Sequence, residues 1–411
     1  MSGPSWDDGL PSAPDPRADR MRGETIVCFG WTEWTPGTQT WNQVLRRLAY
    51  RNRVIYVPPP LERTEVFGSR FAPELGRRGL RHREDHLYIY RFSRLLPNFY
   101  KPPRLVRSIE SMRLRALRRA VDSLGGKRPI LYIIHPKFRS PYVGGLGEKL
   151  VLYHMLDEYS GYAGANRERV QREEGDLLAR TDVAIASSPS LAERKSGPGR
   201  PVHFVPNGVD FDLFSAAAGS DLPVPDDLAA VPPGPRVGYL GRICDKLDFH
   251  ILREAAVRLP HAQFVFIGPV LVVSRETRDL FEEWAGLPNV HILGAKEMDD
   301  LPAYVASFDV GILPYGVDDA SVHRYPLKLH EYQAAGIPVV SVPLPCFSGF
   351  AGTVRTALTT GDWVAALREA VEPGTEEDRR RRIETARLHD WNRVVLRIEN
   401  LIREKLSSGQ P

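Results

Sequence analysis

Cysteine is scarce in this sequence. Its three copies, Cys28, Cys244 and Cys346, stand far apart with no metal-ligand spacing. That argues against a disulfide framework and against a zinc site, and leaves them as small buried residues. No run approaches the roughly 18 to 20 apolar residues of a membrane span, and no charged-then-apolar segment opens the chain. The expected compartment is therefore the cytosol. No GxGxxG follows the first predicted strand, so a dinucleotide-binding reading is weak. No nucleic-acid module or basic-aromatic platform is present, and nucleic acid is not an expected partner. The 411 residues, 42% hydrophobic and 26% charged, are those of a soluble globular protein long enough for two domains with separate cores.

Residues 1–22, rich in Pro, Asp, Gly and Ser, lack the large apolar groups that join a core and read as a disordered tail. From Thr25 a strand (25–30), a loop (31–37), a helix (38–50) and a second strand (54–57) predict the opening of a doubly wound α/β domain. Residues 61–120 hold 15 Lys/Arg against 6 Asp/Glu, a net of +9 in a chain whose total is +4. Part of that excess lies on a predicted helix, 103–124, where Leu105, Val106, Ile109, Met112, Ala116, Leu117, Ala120 and Val121 recur at helical spacing with arginines between them. Such a helix packs on a core with a solvated outer face, or meets an anionic membrane or acceptor, and the two roles are compatible. Predicted strands follow at 130–135 and 150–156. Polar residues at the end of a buried strand stand at the ligand edge of a parallel sheet, which makes His135, His154 and Asp157 candidates.

A helix at 166–180 and a strand at 183–186 lead to VHFVPNGVDFDLF (202–214), whose Asn207-Gly208 pair is a strong turn signal. Residues 215–235, rich in Ala, Asp and Pro, read as a linker. RVGYLGRICDK (236–246) then predicts a strand and a Gly-bounded turn carrying Arg242 and Lys246, with further strands at 263–268 and 289–294 and helices at 275–285 and 298–307.

The stretch RYPLKLHEYQAAGIPVV (324–340) carries the most chemistry. Pro326 suits the first position of a helix about three turns long, and Gly336 with Pro338 supplies the stop. Lys328 and Glu331 share a face near the helix N-terminus, where free N–H groups and the dipole favour an anion such as a diphosphate. Lys328 can neutralise phosphate, and an ionised Glu331 can only accept hydrogen bonds, as from sugar hydroxyls. A solvated Lys/Glu pair is the alternative. Short β-branched runs at 308–315 and 338–343 flank the helix. The order strand, loop, helix, strand puts its start at the carboxyl edge of a parallel sheet.

This stretch, the 202–214 string and the Arg242/Lys246 turn together resemble the glycosyltransferases of the GT-B architecture, especially family 4-like, teichuronic-acid and glucuronosyltransferase-like bacterial polysaccharide enzymes. The resemblance runs from Thr25 to about Asn400. It implies two Rossmann-like doubly wound α/β domains facing across a cleft: an acceptor-side domain at 23–214, the linker at 215–235, a nucleotide-sugar domain at 236–389, and a terminal helix and tail at 390–411 that crosses back to the first domain.

It further implies that Arg242, Lys246 and Lys328 hold the donor diphosphate, with Tyr325 and Glu331 also at the donor and Glu331 on the ribose. In the acceptor-side domain Asp157 becomes the candidate base, with His154 next in line, and Gly37 and Thr38 face the acceptor. The donor is a UDP- or GDP-linked sugar and no other cofactor is implied. The acceptor is a glycan, a lipid-linked glycan or a small natural product. Asp210 and Asp212 belong to the turn of the 202–214 string, so no catalytic metal is expected. The basic region places the enzyme at the inner membrane face. One departure matters: many family 4 enzymes carry a second glutamate separated by seven intervening residues from the one matching Glu331, and His323 stands there instead. A nucleotide-sugar epimerase and a catalytically silent binding subunit therefore stay open as alternatives.

Overall fold

The computed structural model describes residues 20–34, 37, 39–62, 78–138, 141–162, 164–219, 222–318, 321–350 and 352–408. Most of the expected tail, Thr38 and residues 63–77 of the basic region lie outside them. By contacts the chain divides into two compact units. One is built from Pro206–Val394 with Ser188–Ser190; the other takes the described residues up to Ser187, Leu191–Val205, and the chain from Val395 onward. The main chain passes from one unit to the other at Val205 and again inside its last helix, Trp391–Ser408.

The unit containing the N-terminal half holds an eight-stranded sheet among the described residues, in the order β3-β4-β2-β1-β5-β6-β7-β8. Its strands are β1 (Thr25–Phe29), β2 (Arg53–Val57), β3 (Gly79–Glu84), β4 (Leu87–Arg91), β5 (Ile130–Ile133), β6 (Leu150–Met155), β7 (Val183–Ala186) and β8 (Val202–Phe204). All pairings are parallel except the β3/β4 hairpin. The sequences explain this. TIVCF and LVLYHM are buried at every position, the continuous apolar pattern of strands covered on both faces. The edge strand β3, GLRHRE, has no buried residue, and its charges blunt an open edge. That polar composition left the hairpin invisible to periodicity.

The helix Pro103–Ser123 forms as expected, but its buried face differs. Ile109, Leu117, Ala120 and Val121 are buried together with Arg113, while Leu105 and Met112 are 39% and 47% exposed. Arg113 enters the interior because its guanidinium has acceptors there, donating to the Leu96 carbonyl at 2.7 and 2.9 Å and to Asn98 Oδ1 at 3.0 Å.

The other unit holds a six-stranded, all-parallel sheet among the described residues, ordered β13-β11-β9-β14-β15-β16. Its strands are β9 (Arg236–Leu240), β11 (Gln263–Ile267), β13 (Val290–Gly294), β14 (Val310–Leu313), β15 (Val339–Ser341) and β16 (Val354–Thr356), and the short β10 (Ile243–Cys244) and β12 (Val270–Leu271) pair beside them. Two helices, Phe211–Gly219 and Asp226–Ala229, occupy the stretch expected as linker. Asp212 lies in the first turn of the former, where a carboxylate suits the helix dipole. The helix at the centre of the sequence analysis is Leu327–Ala334, eight residues, with Pro326 as its N-cap rather than its first residue. Gly336 at φ +76° ends it, in the left-handed region that glycine enters without cost.

Candidate functional site

In the Pro206–Val394 unit, β9 and β14 lie side by side and the Leu327–Ala334 helix starts from the loop after β14. The turn after β9 and that helix are tied together. The Tyr332 hydroxyl accepts the Leu240 N–H at 2.8 Å, and its ring fills the space a side chain at Gly311 would need. Gly241 has φ +135°, and a Cβ there would stand 2.0 Å from Lys328 Cε and 2.6 Å from Nζ. The absence of a side chain at Gly241 is what lets Lys328 lie across the turn that carries Arg242, its ammonium 5.7 Å from the centre of the Tyr239 ring.

Arg242 is exposed. The carboxylates that could have neutralised this turn are engaged elsewhere: Asp245 accepts from the backbone N–H groups of Val273 and Ser274, each at 3.0 Å, and Asp248 caps the helix Phe249–Arg258 through Ile251 N–H. Lys246 lies on the same turn, its carbonyl accepting from Gly316 N–H at 3.0 Å. One helical turn on from Lys328, Glu331 is 5% exposed. Burial pushes its carboxyl up from 4.5 to about 7, against the opposing pull of Lys328.

One neighbour was not distinguished in the sequence. Arg324 lies 4.8 Å over the Tyr315 ring, and its Nε and Nη1 are buried without a hydrogen-bond partner among the described residues. Tyr325, expected at the donor, is instead in the core: it is 5% exposed, its hydroxyl is 3.1 Å from His330 Nε2 and its carbonyl accepts from Asn207 Nδ2 at 2.7 Å.

In the other unit the expected trio separates. His154 lies within β6, 1% exposed, with Nδ1 2.6 Å from the Tyr132 hydroxyl, and burial lowers its pKa to about 3. It is a core histidine, because it lies inside β6 between β5 and β7, before the strand ends at Met155. His135 and Asp157 do stand past strand ends. His135 stacks on Trp31 at 3.9 Å and meets Tyr159 at 4.5 Å. Its Nδ1 accepts from Lys137 N–H at 3.1 Å, which fixes the proton of the neutral ring on Nε2. Burial and Lys137 hold its pKa at about 3. Asp157 accepts from its neighbour's N–H, Glu158, at 3.0 Å and from the Tyr162 hydroxyl at 2.6 Å. The turn that carries it is anchored by Glu158, 3% exposed and bonded to Ser160 Oγ at 2.7 Å and Lys195 Nζ at 2.8 Å. Trp31, 45% exposed, and Tyr162 were missed. An aromatic in a polar loop just after a buried strand is the signal that could have found Trp31.

Residues 234–373 match the family model described as Glycosyl transferases group 1. TuaH of Bacillus subtilis (strain 168), named as a teichuronic acid biosynthesis glycosyltransferase, is 33% identical over 236 residues, 55% of this chain and 58% of its own length. The chain thus matches somewhat more than half the length of that relative. Sucrose-phosphate synthase from Thermosynechococcus elongatus superposes with a TM-score of 0.67 at 15% identity, over 94% of this chain and all of that one. Anabaena Alr3699/HepE, solved with UDP and glucose, gives a TM-score of 0.63 at 14% identity, over 93% and 99%. The fold is the GT-B fold of these glycosyltransferases.

Proposed function

We propose that the chain, whose residues 234–373 match the model of the group 1 glycosyl transferases, transfers a sugar from a nucleotide diphosphate sugar to a glycan, lipid-linked or small-molecule acceptor, without a catalytic metal. The observation that carries this reading is the turn at Gly241. There Lys328 lies across the turn that carries Arg242, Asp245 and Asp248 of that turn bond to backbone N–H groups, and the buried Glu331 follows one helical turn on. Two cations placed so bind a diphosphate and stabilise it as it leaves, and Glu331, once ionised, accepts the ribose hydroxyls. Lys246 belongs to the same set. HepE, a structural neighbour, was solved with UDP-glucose, which favours a UDP-linked donor, with GDP as the alternative base. In the other unit Asp157, oriented by Tyr162, takes the acceptor's proton if the anomeric centre inverts; if it is retained, the leaving phosphate takes it and Asp157 orients the acceptor.

No helix among the described residues is long and apolar enough to cross a membrane. We place the enzyme peripherally at the inner membrane face through the start of the Pro103–Ser123 helix and the segment before it. Leu95 and Tyr100 are 76% and 64% exposed there, interleaved with exposed Arg94, Lys101, Arg104 and Arg107.

The test is nucleotide release from UDP-glucose, UDP-glucuronate and GDP-mannose, with and without acceptor, together with calorimetric titration of the same donors. Acceptor-dependent release in the wild type is expected. Donor binding should weaken about ten- to a hundredfold in Arg242→Ala and in Lys328→Ala. Unchanged affinity in both variants, with melting intact, overturns this donor site.

A further inference from the structure

The N-terminal unit contains a second concavity, of about 270 Å³, at the small end of ligand pockets. It opens at the carboxyl edge of the sheet. Pro60 follows β2, the Asn98–Tyr100 segment follows β4, Phe138 follows β5, and the Pro103–Ser123 helix lends its first half. Open parallel sheets bind ligands at this edge.

Its walls are fixed in advance. Asn98 and Tyr100 both donate to Glu62 Oε1 at 2.8 Å, and Arg113 is spent on Leu96 and Asn98. Two charged groups of the lining, Glu110 and Lys137, make no side-chain hydrogen bond or salt bridge among the described residues. Glu110 is half-buried, and burial raises its carboxyl pKa even though Arg113 opposes it. Four aromatic residues, Phe99, Tyr100, Phe138 and Tyr142, share the remaining wall with aliphatic side chains and with Arg169 and Glu173, which pair with each other at 3.0 Å. Phe138 is also 6.4 Å from the His135 ring, which carries Trp31 and Tyr159. A series of ring contacts thus links the wall of this pocket to the edge that holds Asp157.

We propose that this pocket is a remote subsite for a pyranose ring of the acceptor, one that does not itself react. Aromatic faces cover the C–H faces of a sugar, while Glu110 and Lys137 are an acceptor and a donor for its hydroxyls. An acyl chain fits less well, since it would leave the Glu110 carboxyl desolvated against hydrocarbon. This deepens, and rests on, the acceptor reading of the N-terminal unit, and it makes the acceptor a glycan of at least two rings. Binding energy at a remote subsite raises turnover of the longer acceptor when it is used to position the reacting ring.

The test needs no donor and so is independent of the transferase assay. Saturation-transfer NMR on the full chain, with mono-, di- and trisaccharides of glucose, N-acetylglucosamine and glucuronic acid at concentrations on the order of millimolar, reads binding directly. The expected result is transfer to a di- or trisaccharide, weakened about tenfold by Glu110→Gln and abolished by Val106→Trp, which fills the pocket from its partly exposed side, with circular dichroism melting as the check on folding. The proposal is overturned if no member of the panel receives transfer, if both variants leave transfer unchanged, or if decyl maltoside binds in the pocket through its chain alone.

Discussion

Glu331→Gln is the sharpest test of the donor site, because the wild-type residue is a buried carboxyl poised near neutrality. Raising it from 4.5 to about 7 corresponds to about 3 kcal/mol of disfavoured ionisation in the empty protein, an order-of-magnitude value. The sign follows from proton counting. Between pH 4.5 and 7 the folded protein keeps a proton that the unfolded chain has lost, so this group's contribution to stability declines as pH rises through that window and is fully adverse above it. The glutamine is neutral at every pH. Urea unfolding should therefore give similar stabilities for wild type and variant at pH 5, and a variant more stable by up to about 3 kcal/mol at pH 8. Donor binding should move the other way. If hydroxyls bond only to the ionised form, wild-type affinity for UDP-glucose, whose diphosphate keeps its charge over this range, rises about tenfold from pH 6 to pH 8 as the carboxyl ionises. The variant binds weakly and without that slope. A stability difference that does not change between pH 5 and 8, or identical pH profiles for donor affinity, would refute both the ionisation of Glu331 and its contact with the donor.

Other outcomes follow from the same geometry. Gly241→Ala forces a Cβ against Lys328 Cε at φ +135°; it should cost about 1 to 3 kcal/mol of stability from backbone strain and lower UDP-glucose affinity, with little further loss when combined with Lys328→Ala, and full additivity in that double mutant would separate the two residues. Asp157→Asn should lower turnover about 100- to 10,000-fold with donor affinity unchanged, whereas a variant within a few-fold of wild type removes Asp157 as base. Burial holds His389 at about 4, so the unfolded chain takes up a proton first as pH falls below 6.5 and stability should decline from there toward pH 4; a flat urea midpoint between pH 7 and 5 contradicts this. Co-sedimentation with anionic vesicles should exceed that with neutral ones, each surface Lys or Arg adding about 1 kcal/mol at low salt; equal, negligible binding to both leaves the arginines as a solvated face.

The sequence by itself determined the alternation of buried strands and helices, since TIVCF, LVLYHM and VGIL are continuous apolar runs that only a sheet covered on both faces accommodates. It also determined the Lys328/Glu331 face, because helical spacing is a local property. What lay beyond it was decided by contacts distant in sequence. Periodicity assigned Leu105 and Met112 to the core and Arg113 to solvent, but the carbonyl of Leu96 and the amide of Asn98 made the interior polar where Arg113 enters. His154 and His135 look equivalent at the ends of predicted strands; the pairing of β6 with β5 and β7 keeps the first inside the sheet, while the second stands past β5 beside Trp31. The placement of Lys328 across Gly241 and the near-neutral carboxyl of Glu331 depend on packing between segments some 90 residues apart. No local pattern encodes a desolvation or a close approach of that kind.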